Sequence, residues 1–143
     1  MKRSLKHSLA GMLYAAIESK QDLPGKKILE SFEIKFPEAL YATWTLKNNT
    51  IWEASFLWEK KEHTALFSSG GQWIETHSYL PLGTVPMVVQ KKFNKDYPRN
   101  QVKHIFILRK PEGVFYEFLI RLGNKQYKVR YNSNGEMKEQ LFV

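Results

Sequence analysis

The sequence predicts an α+β protein built from a helix and a four-stranded antiparallel sheet, a unit used twice in tandem. The helices are expected on one face of the strands. Three observations carry this expectation. First, two segments match each other in order, as an internal repeat does. Ile28, Phe32, Phe36 and Pro37 correspond to Val89, Phe93, Tyr97 and Pro98 at an offset of 61 residues. Trp52, Glu53, Phe67, Ser69, Gly71 and Glu75 correspond to Tyr116, Glu117, Tyr131, Ser133, Gly135 and Glu139 at an offset of 64, after an insertion of three around Lys110-Pro111-Glu112. Second, apolar residues alternate with period two along the candidate strands. Third, the connections are too short to cross over a sheet, so consecutive strands run antiparallel.

Residues 1–23 read as an amphipathic helix, with Leu5, Leu9, Met12, Leu13, Ala16 and Ile17 forming its apolar stripe. Lys2, Arg3 and Lys6 ahead of that stripe also fit the charged start of an export signal. The apolar stretch from Leu9 to Ile17 is short, however, and contains Gly11 and Tyr14, and no clear small-x-small cleavage site follows. A helix of the folded domain is the expectation. Repeat one spans 24–77. Pro24 suits a helix start, and Ile28, Leu29, Phe32 and Phe36 share one helical face. Pro37 disfavours helical geometry at Phe36 and stops the helix. Strands follow at 40–47, 50–59, 63–68 and 72–77, with Asn48-Asn49 expected to take the positive φ of a tight hairpin and Ser69-Gly70-Gly71 to form a later turn. Repeat two spans 85–143, with a helix at 85–96 stopped by Pro98. Its strands are at 101–109, 114–122, 126–131 and 136–141, with turns at Gly123-Asn124 and Asn132-Ser133-Asn134-Gly135.

Alternation sorts the strand faces. Trp52, Ala54, Phe56, Trp58, Ala65 and Phe67 share a side that needs cover, as do Tyr116, Phe118, Ile120, Leu122, Val129 and Tyr131. The helices carry the matching apolar stripes. The opposite side mixes Ile51, Glu53, Ser55, Leu57 and Glu59 with Phe115, Glu117, Leu119, Arg121, Lys128 and Arg130, and is expected to stay open.

The 143 residues make about one domain. A hydrophobic content of 43% and an aromatic content of 14% exclude a disordered or collagen-like chain. The longest apolar runs, at 79–82 and 85–89, fall far short of the roughly 20 residues of a membrane-spanning helix. Cysteine is absent, which excludes disulfides, thiolate metal sites and cysteine nucleophiles together. Lys and Arg outnumber Asp and Glu by 22 to 14, a net charge of +8. The positive residues are dispersed rather than gathered in a basic tail, so the charge favours acidic partners in general without selecting nucleic acid.

Two units of helix, Phe/Tyr-Pro stop and antiparallel strands with a Ser/Asn-Gly turn resemble the PepSY-like, β-lactamase-inhibitor-like family. The second repeat carries the clearest trace, in Phe93-Asn94-Lys95-Asp96-Tyr97-Pro98, Phe115-Tyr116-Glu117-Phe118 and Tyr131-Asn132-Ser133-Asn134-Gly135-Glu136. The resemblance covers roughly residues 24–143. It implies two packed α+β units whose sheets join into one curved sheet of about eight strands with helices on one face. It also implies a single domain over 1–143 and a bacterial protein, often exported to the periplasm or secreted, without established catalysis.

The residues themselves offer little chemistry. His7, His63, His77 and His104 lack metal-ligand spacing, and no nucleophile elbow, phosphate loop or dinucleotide fingerprint is present. Glu53 and Glu117 are equivalent positions on the open side; cross-strand pairing with Arg121, Lys128 or Arg130 is expected of them rather than acid–base work. The expected function is therefore a non-enzymatic protein-binding module, an inhibitor or envelope accessory protein that uses no cofactor and no metal. An open sheet of about eight strands of six residues offers roughly 700 Å², close to the ~800 Å² that each partner gives to an ordinary interface. Its expected anchors are Leu57, Phe106, Phe115, Leu119, Arg121 and Arg130. Two alternatives stand beside it. One is a basic sheet that stacks single-stranded nucleic acid, which no recognised motif supports. The other is a small-ligand pocket lined by Trp44, Trp52, Phe56 and Trp58, residues more simply read as core.

Overall fold

Pro37 and Pro98 act as the sequence suggests, by ending the two α-helices of the described residues. A computed structural model describes residues 23–98 and 101–143; the helix expected over 1–23 lies outside the described residues but for its last position. Helix α1 runs Lys26–Lys35 and α2 runs Met87–Asp96. The residue before each proline leaves helical geometry, Phe36 at φ −127°, ψ 67° and Tyr97 at φ −133°, ψ 66°. The proline ring crowds the backbone of the residue ahead of it, which produces this exit. Each exit residue still closes the last turn, Phe36 N–H donating to the Phe32 carbonyl and Tyr97 N–H to that of Phe93.

Both helices begin later than expected. Gly25 rather than Pro24 caps α1. Pro86 caps α2, because a 3₁₀ turn over Leu82–Thr84 comes first and ends with Val85 in extended geometry.

Eight strands form an open antiparallel sheet in sequence order. They are β1 Leu40–Asn48, β2 Ile51–Trp58, β3 Lys61–Ser68, β4 Trp73–Tyr79, β5 Gln101–Lys110, β6 Gly113–Leu122, β7 Lys125–Asn132 and β8 Met137–Phe142. The chain divides into two compact units, the first ending at Thr76 and the second covering His77–Val143.

In the first unit the β2–β3 register sets Trp52 opposite Phe67 and Ala54 opposite Ala65. This covered side, with Trp44, packs on Ile28, Leu29, Phe32 and Phe36 of α1 and its exit. Phe32 sits at the centre, its ring centroid 5.1 Å from Trp44, 4.9 Å from Phe56 and 6.1 Å from Phe67. In the second unit Tyr116 faces Tyr131 and Phe118 faces Val129. Phe93 of α2 stacks on Phe118 at 3.9 Å with 6° between the planes, and Tyr131 meets both rings edge-on.

The hairpins depart from expectation at one place. Asn48-Asn49 does not take positive φ. Instead the Asn48 side-chain oxygen accepts from the backbone N–H and hydroxyl of Thr50 at 2.9 and 2.8 Å, so a side chain closes the turn. The left-handed pair is Glu59-Lys60, at φ 50° and 66° between Trp58 and Lys61, which face each other. Gly71 and Gly135 are required twice over. Their φ values of 90° and 82° disfavour a side chain, and a Cβ there would stand 3.1 Å from the carbonyl oxygen of Lys27 or Val88 respectively. Each glycine lets its turn lie directly against the start of the helix in its own unit.

Candidate functional site

On the open side of the second unit, register places the expected residues in rows. Phe106 of β5 lies opposite Glu117 of β6, and His104 opposite Leu119. Glu117 lies opposite Arg130 of β7, which in turn faces Glu139 of β8. Arg130, expected as an anchor, is held from both sides: one guanidinium nitrogen meets Glu117 at 2.9 Å and the other meets Glu139 at 3.0 Å. Its side chain is 21% exposed and that of Glu117 11%, so the pair lies under the surface and organises the face instead of projecting from it. The cross-strand pairing expected of Glu117 is thus present. Glu53, in the first unit, is met by Lys47 at 3.5 Å. Both carboxylates are absorbed by cations of their own units.

Of the other expected residues in this unit, Phe106, Phe115 and Leu119 are half-buried and Arg121 is exposed. The Arg121 Nε donates to the Gly123 carbonyl at 3.0 Å, which fixes the guanidinium near the hairpin end. Around Phe106 the structure adds three rings that sequence reasoning left out. Phe106 lies 4.8 Å from Tyr79, 5.6 Å from His77 and 6.3 Å from His104, and Tyr79 lies 5.4 Å from His104. Tyr79 is 57% exposed. The signal was present in the sequence, since His77 and Tyr79, like His104 and Phe106, are two apart and share a strand face.

Leu57 lies in the first unit, beside an open cavity of about 410 Å³. Tyr41, Thr43, Ser55, Glu62 and Thr64 contribute to its lining. The cavity sits where β1 slips register between Leu40 and Thr43, at Tyr41, whose φ is 57°. On the covered side, the aromatic residues considered for a ligand pocket belong to the core beneath α1. Phe56 is 4.7 Å and Trp58 5.2 Å from Phe36, and the Trp58 indole N–H donates to the Pro37 carbonyl. These rings fill a core.

The titratable cluster at Asp96 is also structural. Tyr131, fully buried, donates its hydroxyl to Asp96 at 2.9 Å, and Lys92 meets the other carboxylate oxygen at 2.9 Å. Burial raises the Asp96 pKa, but hydrogen bonds from Lys92 and Tyr131 outweigh it, so the net shift is downward. Burial, and then the bond to Asp96, hold the Tyr131 phenol protonated well above its ordinary range. The native state therefore favours ionised Asp96 more than the unfolded chain does. That stability is present above the ordinary carboxylate pKa and is lost as pH falls through the depressed native value. Asp96→Asn is expected to cost about 1–2 kcal/mol at neutral pH. It should also flatten the stability curve below about pH 4, which urea unfolding across that range would measure. An unchanged acid limb would refute this assignment.

Among the described residues no group of three or more His, Asp or Glu is placed to hold a metal, and no helix is long and apolar enough to cross a membrane.

An open antiparallel sheet with this element order defines a recognised class of α+β structures. The chain is similar to a BLIP-like protein from Bacteroides fragilis, with a TM-score of 0.78 at 19% identity, covering 88% of this chain and 92% of that one. It is similar also to a DUF2874 family protein from Bacteroides ovatus, with a TM-score of 0.78 at 20% identity, over 85% and 89% of the two chains. A DUF2874 family protein from Bacteroides uniformis gives 0.77 at 17% identity, over 85% and 91%. Residues 52–139, more than half of the chain, match the family described as "Putative beta-lactamase-inhibitor-like, PepSY-like", and the protein belongs to that family. No curated protein sequence matches it.

Proposed function

We propose that the protein is a non-catalytic, inhibitor-like binding module that docks a protein partner on the open side of its strands. The observation that carries this reading is the ring cluster of His77, Tyr79, His104 and Phe106, partly exposed and adjoining Leu119. Aromatic side chains beside an aliphatic one are the usual anchors of protein interfaces. Glu117 and Glu139 occupy Arg130 from both sides, which withdraws that guanidinium from phosphate contacts and favours a protein partner over a nucleic-acid backbone. The anchors of this reading are Phe106, Phe115, Leu119 and Arg121, with Leu57 as the candidate in the first unit; Arg130 acts through the geometry it imposes. Capture from the source bacterium with the wild-type chain and with a Phe106→Ala, Leu119→Ala, Arg121→Ala variant tests it. Loss of roughly 1–2 kcal/mol per anchor should weaken the captured protein's binding at least tenfold. Undiminished binding by the triple variant would overturn the choice of face, and capture of no protein by either would overturn the module reading itself. Inhibition of a β-lactamase is the most direct activity to assay alongside.

The same proposal takes the chain as one domain in which a helix-and-four-strand module is used twice. The matched helix exits at Phe36 and Tyr97 and the matched glycine–helix approaches at Gly71 and Gly135 support it, and they recur at the two offsets read from the sequence. Gly71→Ala and Gly135→Ala are accordingly expected to destabilise by similar amounts, at least about 1 kcal/mol each. Thermal unfolding of the two variants checks this; a cost at one site alone would break the equivalence.

A further inference from the structure

The geometry points to a second, separate binding site in the first unit: the open cavity beside the β1 bulge, which takes an alkylammonium group carried on a short aliphatic stem. The cavity is about 410 Å³, within the ~300–1,000 Å³ of ordinary ligand pockets. Its origin is local. The register slip between Leu40 and Thr43 sets Tyr41 and Ala42 of β1 against Phe56 alone on β2, and Tyr41 adopts φ 57° there. Left-handed geometry is disfavoured for an aromatic residue and is retained where surrounding structure imposes it, commonly beside functional sites. Bulges of this kind bend a strand away from its neighbour and re-aim a side chain.

The lining selects the chemistry. Thr43 faces Ser55 across β1–β2 and Ser55 faces Thr64 across β2–β3, so three hydroxyl side chains lie in one row. The next row pairs Leu57 with Glu62. Among the described residues of the lining Glu62 is the one carboxylate, His63 is the one imidazole, and no lysine or arginine joins them. A carboxylate with flanking hydroxyls supplies acceptors for the three N–H donors of a primary ammonium. Leu57 and Tyr41 supply apolar surface for its stem. A metal ion is a poor match, because one carboxylate and neutral hydroxyls fall short of the oxygen set that a hard divalent cation requires. An anion is opposed by Glu62. Lys61, the neighbour of Glu62, lies on the other side of the strand opposite Trp58.

The site is independent of the ring cluster in the second unit, so either can fail without the other. It is tested on the full chain by two-dimensional ¹⁵N NMR titration with Nα-acetyl-lysine methylamide. The norleucine analogue keeps the stem and lacks the charge, and cadaverine is the free amine. The lysine derivative or cadaverine is expected to give saturable shifts at the amides of Ser55, Leu57, Glu62 and Thr64, with the norleucine analogue giving none. Tighter binding of the blocked lysine assigns the natural ligand to a protein side chain, and tighter binding of cadaverine assigns it to a free amine. Glu62→Gln, at an exposed position outside the core, should weaken binding about fivefold or more. Leu57→Ala should weaken it without removing the preference for charge. Shifts scattered over the surface acids, equal shifts from norleucine, or full binding by the Glu62→Gln variant would overturn the assignment.

Discussion

Phe32→Ala is expected to destabilise the protein by about 3–5 kcal/mol, the range for truncating a fully buried phenylalanine. Phe32 is 1% exposed, and its ring contacts those of Phe36, Trp44, Phe56 and Phe67, so its removal opens a cavity that four rings border. Rings from β1, β2 and β3 cannot all collapse into that space without leaving their strand positions, so little of the loss is recovered. Whole domains are stable by only ~5–15 kcal/mol, and this single truncation removes a large share of that margin. Ile34→Ala provides the control on the same helix: Ile34 is 82% exposed, and its loss should cost no more than about 0.5 kcal/mol. Urea titration should show a large fall in midpoint for the first variant and almost none for the second, with slopes unchanged. A loss below about 1 kcal/mol at Phe32 would mean that α1 does not seal this core.

The features legible in the sequence are those set by short-range rules. Period-two alternation identifies the covered residues Ala54, Phe56, Ala65 and Phe67, and likewise Phe118, Ile120, Val129 and Tyr131, all of them buried. Pro37 and Pro98 mark where the helices end because their effect reaches one residue back. What escapes a reading of local pattern depends on tertiary context. Glu59-Lys60 carries no turn signature, and its left-handed geometry is imposed by the strands that it joins. The bulge at Tyr41 lies in an ordinary apolar–polar run, so the cavity beside it has no sequence mark. The ring cluster around Phe106 needs β4 and β5 side by side, although the 3₁₀ turn and α2 separate them in the chain. Arg130 is legible as a candidate partner of Glu117, but its being held from a second side needs the β7–β8 register that sets Glu139 opposite it.

That last arrangement leads to the second large effect. Arg130→Met is expected to cost about 3 kcal/mol, the usual result of removing one partner from a buried ion pair. The cost arises chiefly at Glu117. This residue is 8% exposed, flanked by Phe106 on β5, and meets Arg130 at 2.9 Å. Without the guanidinium the carboxylate is left poorly solvated with no cation beside it, which penalises the native state. Glu139 loses less, because its side chain is 38% exposed and water can replace the arginine. The asymmetry distinguishes a pair that is strongly attractive from one whose loss merely strands a charge. If stranding dominates, Glu117→Gln combined with Arg130→Met should be markedly more stable than Arg130→Met alone, because the neutral amide no longer demands a cation. The Nε of Arg130, buried without an acceptor among the described residues, already offsets part of what the pair contributes. A double-mutant cycle by denaturant unfolding measures the coupling directly. Additive costs across the cycle would show that the two residues act separately, and that the order of the β5–β8 face comes from its backbone register alone.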